Sequence, residues 1–395
     1  MLVHEIESGQ RYFFSAEDYQ KALTELEAAL PAADIERQHM LDRLRCLLGY
    51  YDQAQAGINY SEEKIVAAKQ RNDHAALADY YVCRYYLFSQ LGQTQLAEQQ
   101  AELSYQAASD SETPLSIAIS LSLLGNIASY RGNYADAMQH YVTAYQLQRG
   151  LGYKPYISDL VMSIAATYRR MGLYQDALNY IEQAELEFTQ PEEKFRNALI
   201  MHEKAYSYAE LGQYGQALSL FEQSMQVYQQ LDEPLWQSYS KVNLVWIYNL
   251  LQRYEQALHT ANEAEQELNQ LSGVDLSALN TYKGLLALYR AQSLTATARA
   301  SKAVKYLQDA EHYLQIEANP RYLLLLYRAK GRAFAANGDG DTAYQWLNRY
   351  VELEQQQQQQ ASATQPALEV PSRRSAVVKR ERCGGAARSL LQRAL

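Results

Sequence analysis

Five alanines set the period of this chain. Ala97, Ala137, Ala177, Ala217 and Ala257 fall forty residues apart, each in the same local setting. The stretch RGNYADAMQHY (131–141) returns as MGLYQDALNYI (171–181) and again as LGQYGQALSLF (211–221). A period of this size, held over consecutive copies, marks a solenoid: one unit cannot bury its own apolar face and has to stack on the next. Weaker copies place Ala22 near the start and Ala303 and Ala343 near the end. The step from Ala257 to Ala303 is 46 residues, so one hairpin carries an insertion, and the 75 residues from Ala22 to Ala97 leave room for one irregular copy. About nine units across residues 1–355 follow from this spacing.

Each unit reads as helix, tight turn, helix. Gly92, Gly132, Gly172 and Gly212 each end a helical run, where glycine takes the left-handed backbone that stops a helix. A second helix starts one or two residues later, with Asn133 read as its N-cap and Asp136 in its first turn, where a carboxylate favours the helix dipole. Tyr134, Ala137, Tyr141 and Ala144 then share one helical face. Alanine at the centre lets two helices cross closely, and a larger side chain there overpacks at a cost of roughly 1–3 kcal/mol. The upstream segment SIAISLSLLGNIASY (116–130) has apolar residues at helical spacing and supplies the first helix.

This pattern resembles the tetratricopeptide repeat (TPR) family, in which a small residue lies in the first helix, glycine and an aromatic bracket the turn, and alanine, aromatic, alanine follow. Gly125, Gly132, Tyr134, Ala137, Tyr141 and Ala144 match in that order. So do Ala165, Tyr168, Gly172, Tyr174, Ala177, Ile181 and Ala184, and then Ala205, Tyr208, Gly212, Tyr214, Ala217, Phe221 and Ser224. The forty-residue unit departs from the usual length of about 34 and implies longer helices, as in the TPR arrays of bacterial regulators. Prolines at the repeat ends are mostly missing. The resemblance implies an all-α, TPR-like solenoid. Its organisation reads as irregular TPR-like hairpins over 1–73, a regular array over 74–272, C-terminal hairpins with a Gln-rich helix over 273–360, and a basic tail over 361–395.

Composition narrows the function. A net charge of −9 argues against a dedicated nucleic-acid binder, so no nucleic-acid partner is expected for residues 1–360. Cys46, Cys83 and Cys383 are far apart, with no CxxC, which suggests neither a disulfide framework nor a zinc site. The N-terminus lacks a signal-peptide pattern, and the longest aliphatic run, Leu323 to Leu326, is far short of a membrane span. No membrane association is expected, and a reducing cytoplasm is the natural location.

The motifs of catalysis fail one by one. NGDGD (337–341) lacks the sixth-place glycine and twelfth-place glutamate of a calcium loop, since Thr342 and Asn348 stand there; it reads as a turn with Asp341 near a helix start. SEEK (61–64) has the spacing of some acyl-transfer enzymes but no companion motif, and Ser61 reads as part of a helix. The seven histidines form no metal-binding pair, and His140 reads as a repeat residue. No phosphate-cradling glycine loop occurs. The chain is read as non-enzymatic, with no metal and no cofactor.

In TPR arrays the first helix of each pair lines the inner groove. Carried over, the groove positions are Ser122 and Asn126, Met162 and Ala166, His202 and Tyr206, and Val242 and Trp246. Ser129, Arg169, Ala209 and Asn249 follow one turn on. Asn126, Arg169, His202, Tyr206, Trp246 and Asn249 are the candidate partner residues: aromatics supply contact area and amides bond a peptide backbone. The competing reading is that each only packs between repeats. The chaperone-type clamp on a C-terminal carboxylate does not fit, because Ser163, Leu199 and Glu203 stand where asparagine and basic residues are required.

After residue 360 the character changes. The tail holds seven Lys/Arg and two acidic residues, net +5 against −14 for residues 1–360, and with its Pro and Gly-Gly it reads as disordered. The last helix and its glutamine run, 355–360, resemble the junction in proteobacterial TPR-GGDEF diguanylate cyclases, although the GGDEF signature is absent. Two function classes therefore stand. One is a binding scaffold for a peptide, protein segment or small ligand, acting in sensing or regulation. The other is a truncated or frame-shifted cyclase without its catalytic domain. A purely structural assembly scaffold is a third, and the oligomeric state stays open.

Overall fold

A computed structural model describes residues 16–29, 41–47, 49, 53–151, 154–188, 194–271, 276–317 and 319–364. All regular structure among these residues is helical. Helix α1 (Ala16–Ala29) carries Ala22; α2 (Ala54–Arg71) follows a short helical stretch at 41–47. Seven hairpins then run in series: α3 (His74–Gln90) with α4 (Thr94–Asp110), α5 (Pro114–Tyr130) with α6 (Tyr134–Leu151), α7 (Lys154–Arg170) with α8 (Tyr174–Phe188), α9 (Lys194–Glu210) with α10 (Tyr214–Gln230), α11 (Pro234–Leu250) with α12 (Tyr254–Gln270), α13 (Leu276–Ala296) with α14 (Ala300–Glu317), and α15 (Pro320–Ala336) with α16 (Gly340–Thr364). The expected all-α solenoid is what forms. The insertion before Ala303 divides between a longer connection after α12 and a longer first helix: α13 has 21 residues, where α11 has 17. The irregular copy has Gly57 forty residues before Ala97, in the alanine place, where a Cβ would come within 2.6 Å of the Cys46 carbonyl oxygen.

The turns are built from backbone rather than from caps. At Gly132 (φ 82°), the N–H of Gly132 donates to Ser129 O at 3.3 Å and that of Asn133 donates to Ala128 O at 2.8 Å. This paired bonding satisfies carbonyls left open at the end of α5. It recurs at Gly92, Gly172 and Gly212. Gln93, Gln213 and Arg253, at the starts of α4, α10 and α12, form no side-chain cap bond. Asn133 holds the N-cap place of α6, its carbonyl accepting from the Ala137 N–H at 3.0 Å. Gln252 (φ 57°) and Ala298 (φ 59°) take the left-handed conformation without glycine, at a cost of about 1 kcal/mol each. In NGDGD the helix cap is Asp339, which accepts from the Thr342 N–H at 3.0 Å, and Asp341 lies in the first turn of α16.

Within each hairpin the two helices cross where a residue of the first meets the residue sixteen later in the second. Gly125 meets Tyr141 and Gly331 meets Leu347 in this way, and at the same offset Tyr85 and Ala101, Ala165 and Ile181, Ala205 and Phe221, Val245 and Ala261, and Ala291 and Leu307 share a core cluster. A bulky side chain on one side always faces a smaller one on the other. A Cβ on Gly125 would lie 2.6 Å from the Tyr141 ring, and one on Gly331 would lie 2.6 Å from Leu347. The large side chain comes from the second helix at some crossings and from the first at others, so the close-packed space is filled from either side.

The array bends back on itself. Helix α13 packs against α3, and α16 packs against α6. The Tyr134 hydroxyl at the start of α6 lies 3.5 Å from Gln357 Oε1, 223 residues away. Arg321 at the start of α15 donates to the Arg169 carbonyl at 3.3 Å and ion-pairs with Glu210. The last hairpin thus enters the hollow formed by the middle repeats.

Cys46 and Cys83 form a disulfide, with Cα atoms 6.2 Å apart and both residues fully buried. The spacing argument missed it because 37 residues is close to one repeat, which brings neighbouring first helices side by side. The basic tail falls mainly at 365–395, outside the described residues. Ser61 is helical as read, and its hydroxyl donates to the Ile58 carbonyl at 2.7 Å.

Gly132→Ala should destabilise the fold by about 1–2 kcal/mol, and Ala298→Gly should stabilise it by a smaller amount, both read from urea midpoints. Gly125→Val should cost roughly 1–3 kcal/mol and Tyr141→Ala about 3–5 kcal/mol. The double variant, which copies the Val245–Ala261 crossing, should cost clearly less than their sum. Additive losses in that cycle would refute the shared-volume account.

Candidate functional site

The hollow is walled on one side by the C-terminal ends of α7, α9 and α11 and the first residues of α6, α8 and α10. Helices α15 and α16 wall the other side. Two adjoining cavities remain between them, of about 420 and about 160 Å³. The larger is lined by Tyr134, Arg170, Tyr174, Arg321, Leu324, Arg328, Tyr350 and Gln357 among others. The smaller takes Arg169, Tyr206, Trp246, Tyr289 and Tyr322. Glu210, Arg321, Leu325 and Arg328 border both, so the two form one lumen.

Three of the six candidate residues meet there. Arg169 pairs with Glu203 at 3.2 Å, and its guanidinium lies 4.4 Å from the centre of the Tyr206 ring. Burial opposes the Arg169 charge, but Glu203 and the nearby tyrosines hold its pKa above the ordinary arginine range. Tyr206 shares hydrogen bonds of 2.6 Å with the Tyr239 hydroxyl and with Asn243 Oδ1, and burial pushes its pKa well up. It stays a neutral hydroxyl. Trp246 is half-buried between Tyr206 and Tyr289, with ring centres 5.5 and 6.3 Å away.

The other three sit elsewhere. Asn126 accepts from the Tyr141 hydroxyl at 2.8 Å inside its own hairpin. Asn249 donates to the Tyr289 carbonyl at 2.8 Å and accepts from Ser293, linking α11 to α13. His202 is 1 % exposed, bonds Asn243 Nδ2 through Nε2 at 3.0 Å, and packs on Phe221 and Tyr239. Among the further groove positions, Val242 is fully buried core. Ser129 shares a hydrogen bond of 2.8 Å with Thr167, and Ala209 borders the smaller cavity.

Residues that sequence reasoning did not select supply much of the lumen: Arg170, Glu210, Arg321, Arg328, Tyr350 and Glu354. Arg170 donates to Ser129 Oγ at 2.8 Å and lies 4.8 Å from the Tyr130 ring centre. Neither Arg170 nor Arg328 has a carboxylate within ion-pair distance among the described residues. Burial raises the Tyr134 pKa, while Arg170, Arg321 and Arg169 pull it down, which places this hydroxyl in a cationic field. No cluster of three or more potential metal ligands occurs among the described residues, and none of their helices is long and apolar enough to cross a membrane.

His202 gives this region a pH signature. Burial depresses its pKa to about 4, so between that value and about 6.5 the unfolded chain binds the extra proton. Stability from this residue is present above pH 6.5 and is lost as pH falls toward 4, by about 3 kcal/mol. His202→Gln, which keeps an amide partner for Asn243, should flatten the unfolding free energy across that window relative to wild type. Equal slopes for the two proteins would contradict the assignment.

The tetratricopeptide repeat model matches residues 116–185 and 196–266. A comparison with curated proteins finds no match. Among solved structures, a Rap protein complexed with competence and sporulation factor superposes with a TM-score of 0.60 at 16 % identity, covering 91 % of this chain and 96 % of that one. The quorum sensor NprR from B. thuringiensis in its apo form gives 0.56 at 15 %, covering 86 % and 92 %. NprR in complex with its cognate peptide NprX gives 0.57 at 16 %, again covering 86 % and 92 %. Likeness at these identities is likeness of fold. The chain carries tetratricopeptide repeats at 116–185 and 196–266, set within a TPR-like α-solenoid.

Proposed function

We propose that this chain is a non-catalytic scaffold that binds a peptide or protein segment in its lumen and acts as a regulatory or sensory module. The observation that carries the reading is the lumen itself. A hollow of the size usual for ligand sites, lined by aromatic rings and a few convergent polar groups, lies where the repeats face inward. Arg169, Tyr206 and Trp246 belong to that wall, and His202, Asn126 and Asn249 support it from between the repeats. The solved solenoids of like shape add weight, since one is a Rap protein complexed with competence and sporulation factor and another is NprR in complex with its cognate peptide. Occupancy would act on shape: the lumen is closed by the last hairpin, so a guest that binds one arrangement of α15 and α16 better than another shifts their position. The cyclase-linked reading rests on the sequence resemblance and on the continuous helix through the glutamine run, which α16 does form.

Selection from a random peptide display library against the purified protein tests the proposal. Enriched peptides should bind wild type and lose at least tenfold in affinity to Trp246→Ala, or to Leu324→Trp, which fills the larger cavity. Circular dichroism verifies the fold of both variants. A selection that enriches nothing, or peptides that bind both variants like wild type, would contradict a lumen site.

A further inference from the structure

The lumen differs in charge balance from the chain as a whole. Residues 1–360 carry a net charge of −14. The larger cavity nevertheless presents Arg170, Arg321 and Arg328 against Glu210 and Glu354. Both carboxylates are engaged: Glu210 by Arg321, and Glu354 by the Tyr350 hydroxyl. Among the described residues that leaves Arg170 and Arg328 on the cavity wall without a carboxylate at ion-pair distance, Arg328 being held by the Tyr350 side chain. Arg170 is also pre-positioned, held by Ser129 Oγ and stacked on Tyr130, so part of its planar donor fork is fixed toward the hollow at little further entropic cost.

We infer that the larger cavity receives a carboxylate of the bound peptide, between Arg170 and Arg328. This rests on the peptide reading of the lumen and adds the chemistry of its anchor. A guanidinium binds a carboxylate through two parallel hydrogen bonds, and the pairing strengthens where walls exclude water. Tyr134 and Tyr174 border the same space as neutral hydroxyls able to donate to an oxyanion. A cationic hollow inside an acidic molecule concentrates field lines at its mouth, which favours an acidic guest over a basic one. The carboxylate has two possible sources, an Asp or Glu side chain or the peptide C-terminus.

The experiment uses peptides recovered by display on the full chain, measured by fluorescence anisotropy. Each is compared with two analogues, one with Asp/Glu changed to Asn/Gln and one with its C-terminus amidated. One of the two exchanges should weaken binding to wild type by roughly 10–100-fold, and which one identifies the source. The same exchange should matter severalfold less on Arg170→Gln and Arg328→Gln, while Arg131→Gln, on the outer surface, should behave as wild type. Arg170→Lys and Arg328→Lys keep the charge and should retain part of the affinity. The peptide-side exchange needs no altered protein, so it decides the matter even if an arginine variant fails to fold. Peptides indifferent to both exchanges overturn this inference alone. A selection that returns no peptide overturns the lumen reading and this inference with it.

Discussion

The structure depends on one contact repeated along its length: the crossing of the two helices in each hairpin. Dispersion and apolar burial hold that crossing together only if the side chains there fill a fixed space. Gly125 faces Tyr141 and Val245 faces Ala261, so the space is filled from opposite sides in different repeats. A solenoid sums small rotations from unit to unit, and an error at one crossing propagates to everything beyond it. The summed rotations bring α16 back to α6 and α13 back to α3.

The lumen is a product of that return. Its walls come from helices more than a hundred residues apart, and Arg321 holds them together. This guanidinium meets Glu210 and the carbonyl of Arg169 at the end of α7, where the helix dipole leaves negative partial charge. The half-buried pair adds orientation more than raw stability, because desolvating both charges offsets much of their attraction. Around it the tyrosines stay neutral, burial having raised their pKa values, so the field of the lumen is set by its arginines and glutamates.

Legibility in the sequence followed the range of the interactions. Turn glycines, the forty-residue alanines and the first-helix small residues act within one hairpin, and the fold could be read from them. Arg169, Tyr206 and Trp246 could be placed on the inner wall because repeat position alone determines which way a first-helix residue faces. Arg321 and Arg328 could not, since nothing near them reveals that α15 ends up against α7 and α9; the superhelical pitch decides it. His202 and Asn249 illustrate the opposite limit. An inward position in a tightly wound array is often taken up by the neighbouring repeat, here through Asn243 and Tyr289. The Cys46–Cys83 bond was hidden for a related reason, as its partners are neighbours only once two first helices stack.

The central claim is that the last hairpin closes the lumen by returning to the middle of the array. Spin labels on Gln139→Cys in α6 and Glu352→Cys in α16, with Cys383→Ser, report it through their distance distribution by double electron–electron resonance. A single short, narrow distribution is the result expected of a closed superhelix. A broad or long distribution in the free protein would contradict the closure, and with it the lumen that closure builds.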